Sequence, residues 1–115
     1  RVFKTLVASL DGKSLAVGIV PVSAKLDMKR LAKAAGAKRA EMAAPADVER
    51  ATGYVLGGVS PLGQKKRLRT WIDATAAHYP TIFVSAGRRG LEIELAPEDL
   101  RQLTGGAFSD IALPA

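Results

Sequence analysis

The chain has 115 residues and a mass of 12.1 kDa, which is room for one core, so one domain over residues 1–115 with one site is expected. Hydrophobic residues at 48% against 24% charged exclude a disordered chain, and aromatics at 5% leave no platform for stacking a run of bases. Seventeen Lys and Arg against eleven Asp and Glu give a net charge of +6, which favours a polyanion such as RNA, while zero Cys and a single His (His78) exclude a disulfide framework, a thiolate metal site, a cysteine nucleophile and a histidine-based triad.

The first strand-like run starts at Arg1 with no cap or turn before it, so a domain trimmed at its N-terminus is expected. Residues 1–10 and 14–20 are apolar and β-prone, and Asp11-Gly12 between them signals a hairpin. Lys4 interrupts the first run and shares a face with Val2 and Leu6. Beside apolar neighbours it is either a pocket lysine or a strand-end lysine whose head reaches water.

From Asp27 the period becomes helical, with Met28, Leu31, Ala32 and Ala35 on one face and a stop at Gly36. Residues 40–43 read as a short strand, and Pro45 opens a second helix running to Gly53. Residues 54–63 read as a strand entry leading into a loop rich in glycine and proline, followed by Lys65, Lys66 and Arg67. Gly57 and Gly58 allow close backbone approach to a ligand or a left-handed turn, and Pro61 fixes the loop's exit. A bulge or tight turn is the ordinary structural explanation. The basic run is either a solvated face or a set of phosphate contacts beside a pocket.

Residues 68–74 read as a strand, with a short helix as the alternative. Residues 81–86 and 91–95 flank Gly87-Arg88-Arg89-Gly90 as a hairpin, with Ser85 and Glu92 beside its tip. Pro97 opens a last helix that stops at Gly105. His78 reads as a surface residue, and Arg88 and Arg89 as ordinary polar residues of the tip. Strands outnumber helices and the connections are short, so an α+β domain is expected rather than a parallel βαβ array. No apolar run approaches the ~20 residues of a membrane span, so no membrane partner and a cytoplasmic location are expected.

Several blocks taken together resemble the YbaK family of Cys-tRNA(Pro) deacylases: residues 2–6, 26–27 with Lys29, 36–38 and 41–43, 52–67 (Thr-Gly-Tyr-Val-Leu-Gly-Gly-Val-Ser-Pro-Leu-Gly-Gln-Lys-Lys-Arg), and 84–85 with 89–95. The Gly-x-x-x-Pro loop from Gly57 to Pro61 is shared by related proofreading domains, and the longer block through Arg67 is particular to the YbaK branch. The resemblance implies a mixed α/β fold around a barrel-like, largely antiparallel sheet with flanking helices. It implies hydrolysis of a mischarged amino acid from tRNA, with Cys-tRNA(Pro) and also Cys-tRNA(Cys) as substrates, without metal or other cofactor. A deacylase for another small amino acid such as alanine, and a non-catalytic tRNA- or synthetase-binding module, are the alternatives.

On the family pattern Lys4 and Gly57 are the catalytic positions. Thr5, Gly58, Ser60, Pro61, Ser85 and Glu92 are substrate-binding, with Glu92 standing where the family often has Asp. Lys65, Lys66 and Arg67 are the expected tRNA contacts, and prolyl-tRNA synthetase the expected protein partner. The family also draws a pocket tyrosine from an upstream segment, for which Tyr54 is no substitute. In the family the substrate's own thiol attacks the ester, which fits a chain with no Cys and no His suited to catalysis.

Overall fold

The computed structural model describes residues 1–114; Ala115 lies outside the described residues. The Asp-Gly hairpin forms as expected. β1 (Phe3–Leu10) and β2 (Ser14–Pro21) pair antiparallel in register from Phe3↔Pro21 to Leu10↔Ser14. They are the centre of a five-stranded sheet of order β4-β1-β2-β5-β8, where β4 is Ala40–Met42, β5 is Arg69–Asp73 and β8 is Ala107–Ser109. β2–β5 and β5–β8 run parallel and the pairs of β1 run antiparallel. The sheet is therefore mixed, and its edges β4 and β8 do not meet.

Two two-stranded sheets complete the architecture. β3 (Ala24–Leu26) pairs with β9 (Ala112–Pro114), and β6 (Ile82–Arg88) pairs with β7 (Leu91–Leu95). The β6–β7 hairpin docks beside the start of β1 through a parallel Val2↔Phe83 bridge, in which Phe83 N–H donates to the Arg1 carbonyl at 2.9 Å. That contact continues the wall of β-structure around the start of β1, as the barrel-like expectation requires.

The helices form where the periodicity and caps place them. α1 (Met28–Ala35) is capped by Asp27, whose carboxylate accepts from the N–H groups of Lys29 and Arg30 at 3.0 and 3.2 Å. α2 (Pro45–Thr52) and α3 (Pro97–Thr104) each start on a proline, and all three helices end at a glycine. The alternative helix at 68–74 is overruled: β5 occupies 69–73, and a 3-10 turn follows over Ala74–His78. The strand entry expected at Tyr54 does not form, and 54–68 is loop held by turns. The short strands β3, β8 and β9 carry too few residues to show an alternating pattern.

Both faces of the central sheet are covered. Phe3, Val7, Ile19 and Ile72 pack with Val48 of α2, Val84 of β6 and Leu100 of α3; Ala8, Leu10, Val20 and Trp71 pack with Leu31 of α1 and Ile111. Burial on both sides explains why β2 reads as an almost unbroken apolar run. The first core opens to a cleft at the start of β1, beside Val48 of α2.

Candidate active site

The cleft has a volume of about 490 Å³ and is bounded by the start of β1, the Gly57 loop and the β6–β7 hairpin. Its wall is mostly apolar, with Phe3, Leu6, Met42, Val48, Leu56 and Leu91 among the lining residues. Lys4, Arg88, Arg89 and the single carboxylate of Glu92 supply the charge, so the cleft is positive overall. Apolar walls with a few convergent polar groups are the usual form of a small-ligand site, and the sign suits the end of a polyanion.

Lys4 lies on the half-buried face of β1 with Val2 and Leu6, as alternation predicts, while the alternate residues Phe3, Thr5 and Val7 are buried. Lys4 has no hydrogen-bond or ion-pair partner among the described residues, so its ammonium is uncommitted within the cleft. Thr5 beside it is buried, lines the cleft, and carries the sole buried side-chain oxygen without a hydrogen-bond partner among the described residues. An orphaned buried hydroxyl costs about 1–3 kcal/mol, and a ligand atom in the cleft is positioned to relieve it.

Gly57 is the third residue of a turn closed by Gly58 N–H to the Val55 carbonyl at 2.9 Å, with φ at +89°. The tight-turn and close-approach readings thus both describe it: the turn needs a left-handed residue there, and the exposed backbone lines the cleft. Ser85 and Glu92 are direct cross-strand partners and both line the cleft. The Ser85 hydroxyl accepts from Gly87 N–H at 3.1 Å across the bulge between Ser85 and Arg88.

Other expected site residues stand outside the cleft lining. Gly58 is buried against the hairpin tip, its α-carbon facing the Gly87 carbonyl and the Arg88–Arg89 backbone. Ser60 is buried and scaffolds the loop, its hydroxyl accepting from Leu62 N–H at 3.2 Å and its carbonyl accepting from Gln64 Nε2 at 2.9 Å. Pro61, Lys66 and Arg67 line a separate depression. Lys65 lays its stem on Gly53, and Arg67 lays its guanidinium on Gly105 at the end of α3. His78 is exposed in the 3-10 turn, away from the cleft.

Two contributors were not anticipated. Arg89, read from the sequence as a tip residue, reaches back over Gly57. Tyr54 braces the whole assembly: its hydroxyl donates to the Leu62 carbonyl at 2.6 Å, and its ring closes against Gly87, where an added β-carbon would stand 2.6 Å from Cε1. The one signal available for both was the pair of glycines enclosing Arg88-Arg89, which allows a bulged tip to fold inward.

Residues 1–103 match the family model described as an aminoacyl-tRNA editing domain. The chain belongs to that family. This editing domain is 47% identical over 111 residues to the Enterococcus faecalis protein named "Putative Cys-tRNA(Pro)/Cys-tRNA(Cys) deacylase EbsC", covering 96% of the chain and 68% of that protein. It is 30% identical over 104 residues to Bacillus subtilis YwhH, covering 90% of the chain and 66% of that protein. The chain thus spans about two thirds of these relatives. A crystal structure described as a putative trans-editing enzyme for prolyl tRNA synthetase superposes with a TM-score of 0.88 at 26% identity, covering 97% of this chain and 70% of that one. Three of the blocks that carried the resemblance, those of the Lys4 strand, the Gly57 loop and the Ser85–Glu92 hairpin, wall the cleft.

Proposed function

We propose that this editing domain removes cysteine from mischarged tRNA(Pro), and also from Cys-tRNA(Cys), by cleaving the ester at the tRNA 3′ end. The observation that carries the reading is the cleft itself, where an uncommitted Lys4, the orphaned Thr5 hydroxyl and the open backbone of Gly57 converge beside an apolar wall. The substrate's identity is supported by the 47% identity to a protein named for that reaction.

The cleft has hydroxyls at Thr5 and Ser85 but no histidine to activate them. The nucleophile in this reading is the substrate's own thiol, as the resemblance to the YbaK family implies. Its sulfur attacks the ester carbonyl, the C–S bond forms as the C–O bond to the ribose breaks, and the thiol proton ends on the ribose oxygen. A four-membered thiolactone remains, which water opens to free cysteine. The domain contributes orientation, worth up to ~7–11 kcal/mol in well-held intramolecular reactions. In this scheme the Gly57 main chain fixes the aminoacyl group, the Lys4 ammonium stabilises negative charge on the carbonyl oxygen, and Thr5, Ser85 and Glu92 hold the amino acid and the terminal ribose.

Lys65 and Lys66 are proposed as phosphate contacts, with Arg67 anchoring their loop to α3. Because such contacts read no amino acid, prolyl-tRNA synthetase is the proposed partner that delivers the tRNA, in the cytoplasm. No helix among the described residues is long and apolar enough to cross a membrane. Hydrolysis of a panel of Cys-, Ala- and Ser-tRNA tests the assignment. Preference for Ala-tRNA would transfer it to another small amino acid, and binding without hydrolysis of any member would make the chain a tRNA-binding module.

A further inference from the structure

Three depressions outside the cleft share lining residues and join into one basic strip. The first, about 250 Å³, is lined by Ser9, Lys13, Asp47, Arg50 and Lys66 among others. The second, about 410 Å³, consists of Asp11, Lys13, Lys38 and Arg39. The third, about 430 Å³, includes Lys29, Lys33, Lys38 and Arg39. Lys13 is common to the first two, and Lys38 and Arg39 to the last two, so the strip is continuous from Lys66 to Lys29.

The charge on it is both concentrated and free. Seven cations face two carboxylates, and Asp11 and Asp47 are each already engaged. Asp11 accepts from the backbone N–H groups of Arg39 at 2.8 Å and Lys38 at 3.1 Å, and Asp47 pairs with Arg50 at 2.8 Å. The other six cations have no ion-pair partner among the described residues. Elsewhere Arg1, Arg30 and Arg101 are each neutralised by a carboxylate, at 3.2, 3.1 and 2.6 Å. The net charge of +6 is thus not spread over the surface but gathered largely on this strip.

The strip is also connected to the cleft. On one face of β1, Thr5 and Val7 line the cleft and Ser9 lines the first depression, a span of ~13 Å from Thr5 at ~3.3 Å per residue. α2 divides the two, with Val48 towards the cleft and Asp47, Arg50 and Ala51 towards the strip.

We propose that this strip binds the phosphate backbone of the tRNA acceptor arm while the 3′ end occupies the cleft. The proposal rests on the deacylase reading above and shifts the main phosphate contacts from the residue 65–67 run to Lys13, Lys29, Lys33, Lys38 and Arg39. A row of uncommitted cations with small residues between them matches a phosphodiester chain, which needs point charges at intervals and no apolar insertion.

The test uses the variant Lys29→Gln, Lys33→Gln, Lys38→Gln, Arg39→Gln, whose side chains take no part in the Asp11 hydrogen bonds. Binding of uncharged tRNA is followed from low to high salt, and hydrolysis is compared on Cys-tRNA and on cysteine esterified to adenosine, which has no phosphate to offer the strip. Affinity for tRNA should fall by at least about tenfold at 0.1 M salt, and the slope of log K against log salt should drop by about 2 or more, at ~0.7–0.9 per lost phosphate contact. kcat/KM on the adenosine ester should stay within about twofold of wild type. An unchanged salt slope, or equal loss in the equally charged pairs Lys25→Gln/Arg101→Gln and Lys33→Gln/Lys38→Gln, would overturn the strip. Failure of the wild-type chain to cleave either cysteine ester while it still binds tRNA through these residues would remove the deacylase reading and leave the strip standing.

Discussion

Arg89 lies across Gly57: a β-carbon added to Gly57, which has φ of +89°, would stand 2.6 Å from Arg89 Nη2. Gly57→Val would therefore strain the turn, by roughly 1–2 kcal/mol for the left-handed backbone, and push the guanidinium out of the cleft. The expected result is a loss of at least about 100-fold in kcat/KM on Cys-tRNA with only a modest fall in Tm. Lower Tm with normal turnover would reduce Gly57 to a turn residue. Arg89→Gln, which frees the space over Gly57, should raise KM for Cys-tRNA with little change in Tm.

Lys4→Ala is expected to abolish most deacylation and leave Tm within a degree or two, because the ammonium has no partner among the described residues to lose. Lys4→Met keeps the stem and removes the charge, and should be as inactive. A wild-type rate in either variant would take Lys4 out of the chemistry.

Thr5→Val separates function from folding by the direction of its effects. Removing a buried hydroxyl that has no partner should leave stability unchanged or raise it by about 1 kcal/mol. Turnover should fall at least about tenfold if that hydroxyl is kept for the substrate, and Thr5→Ser should restore it. A Thr5→Val variant that is less stable and fully active would mean that the hydroxyl serves the fold.

Asp11 provides the pH-dependent prediction. The backbone N–H groups of Arg39 and Lys38 hold its carboxyl below the ordinary value of 3.8. A lowered folded-state pKa adds stability above the unfolded value, and this is lost as pH falls through the folded one. Asp11→Asn should thus have a lower Tm than wild type at neutral pH, and the two curves should converge below pH 3.8. A gap that persists into that range would assign the effect to the turn conformation at Asp11, whose φ is +53°.

The thiol-assisted route makes a prediction that a water-attack esterase does not. A cysteine thiol with pKa near about 8.5 is partly ionised at neutrality and a serine hydroxyl is not. Ser-tRNA should survive, S-methylation of the esterified cysteine should stop turnover, and mass spectrometry should detect the thiolactone before free cysteine. Rapid cleavage of the S-methyl substrate would overturn the route.

Much of this architecture was legible because single residues punctuate it. Asp11-Gly12 marked the first hairpin, Pro45 and Pro97 the helix starts, and Gly36, Gly53 and Gly105 their ends. The strands β3, β8 and β9 were not legible, since three residues cannot display a period and their partners lie far away in sequence. The cleft walls at Lys4, Gly57 and Ser85–Glu92 came from recognisable blocks. Arg89 and Tyr54 escaped notice because their roles depend on which glycines they fold onto, Gly57 for one and Gly63 and Gly87 for the other. Ser60 and Pro61 sit in the most recognisable block yet build the loop from behind, as a motif records whatever a loop requires and not only what it touches.

Asp73 is buried, and its Oδ1 accepts from the N–H groups of Ile111 and Ala112 at 3.0 and 2.9 Å, while Oδ2 caps the 3-10 turn through Thr75. The same C-terminal stretch supplies β9, the partner of β3, and follows directly on β8, the edge of the main sheet. The acid at position 73 therefore has its amide donors 38 and 39 residues further along the chain, and it is satisfied only once residues 107–114 have docked on the sheet. Closure of this corner joins two distant stretches in one step. A chain truncated after Asp110 should be more protease-sensitive than one that runs through Pro114, and Asp73→Ala should narrow that difference.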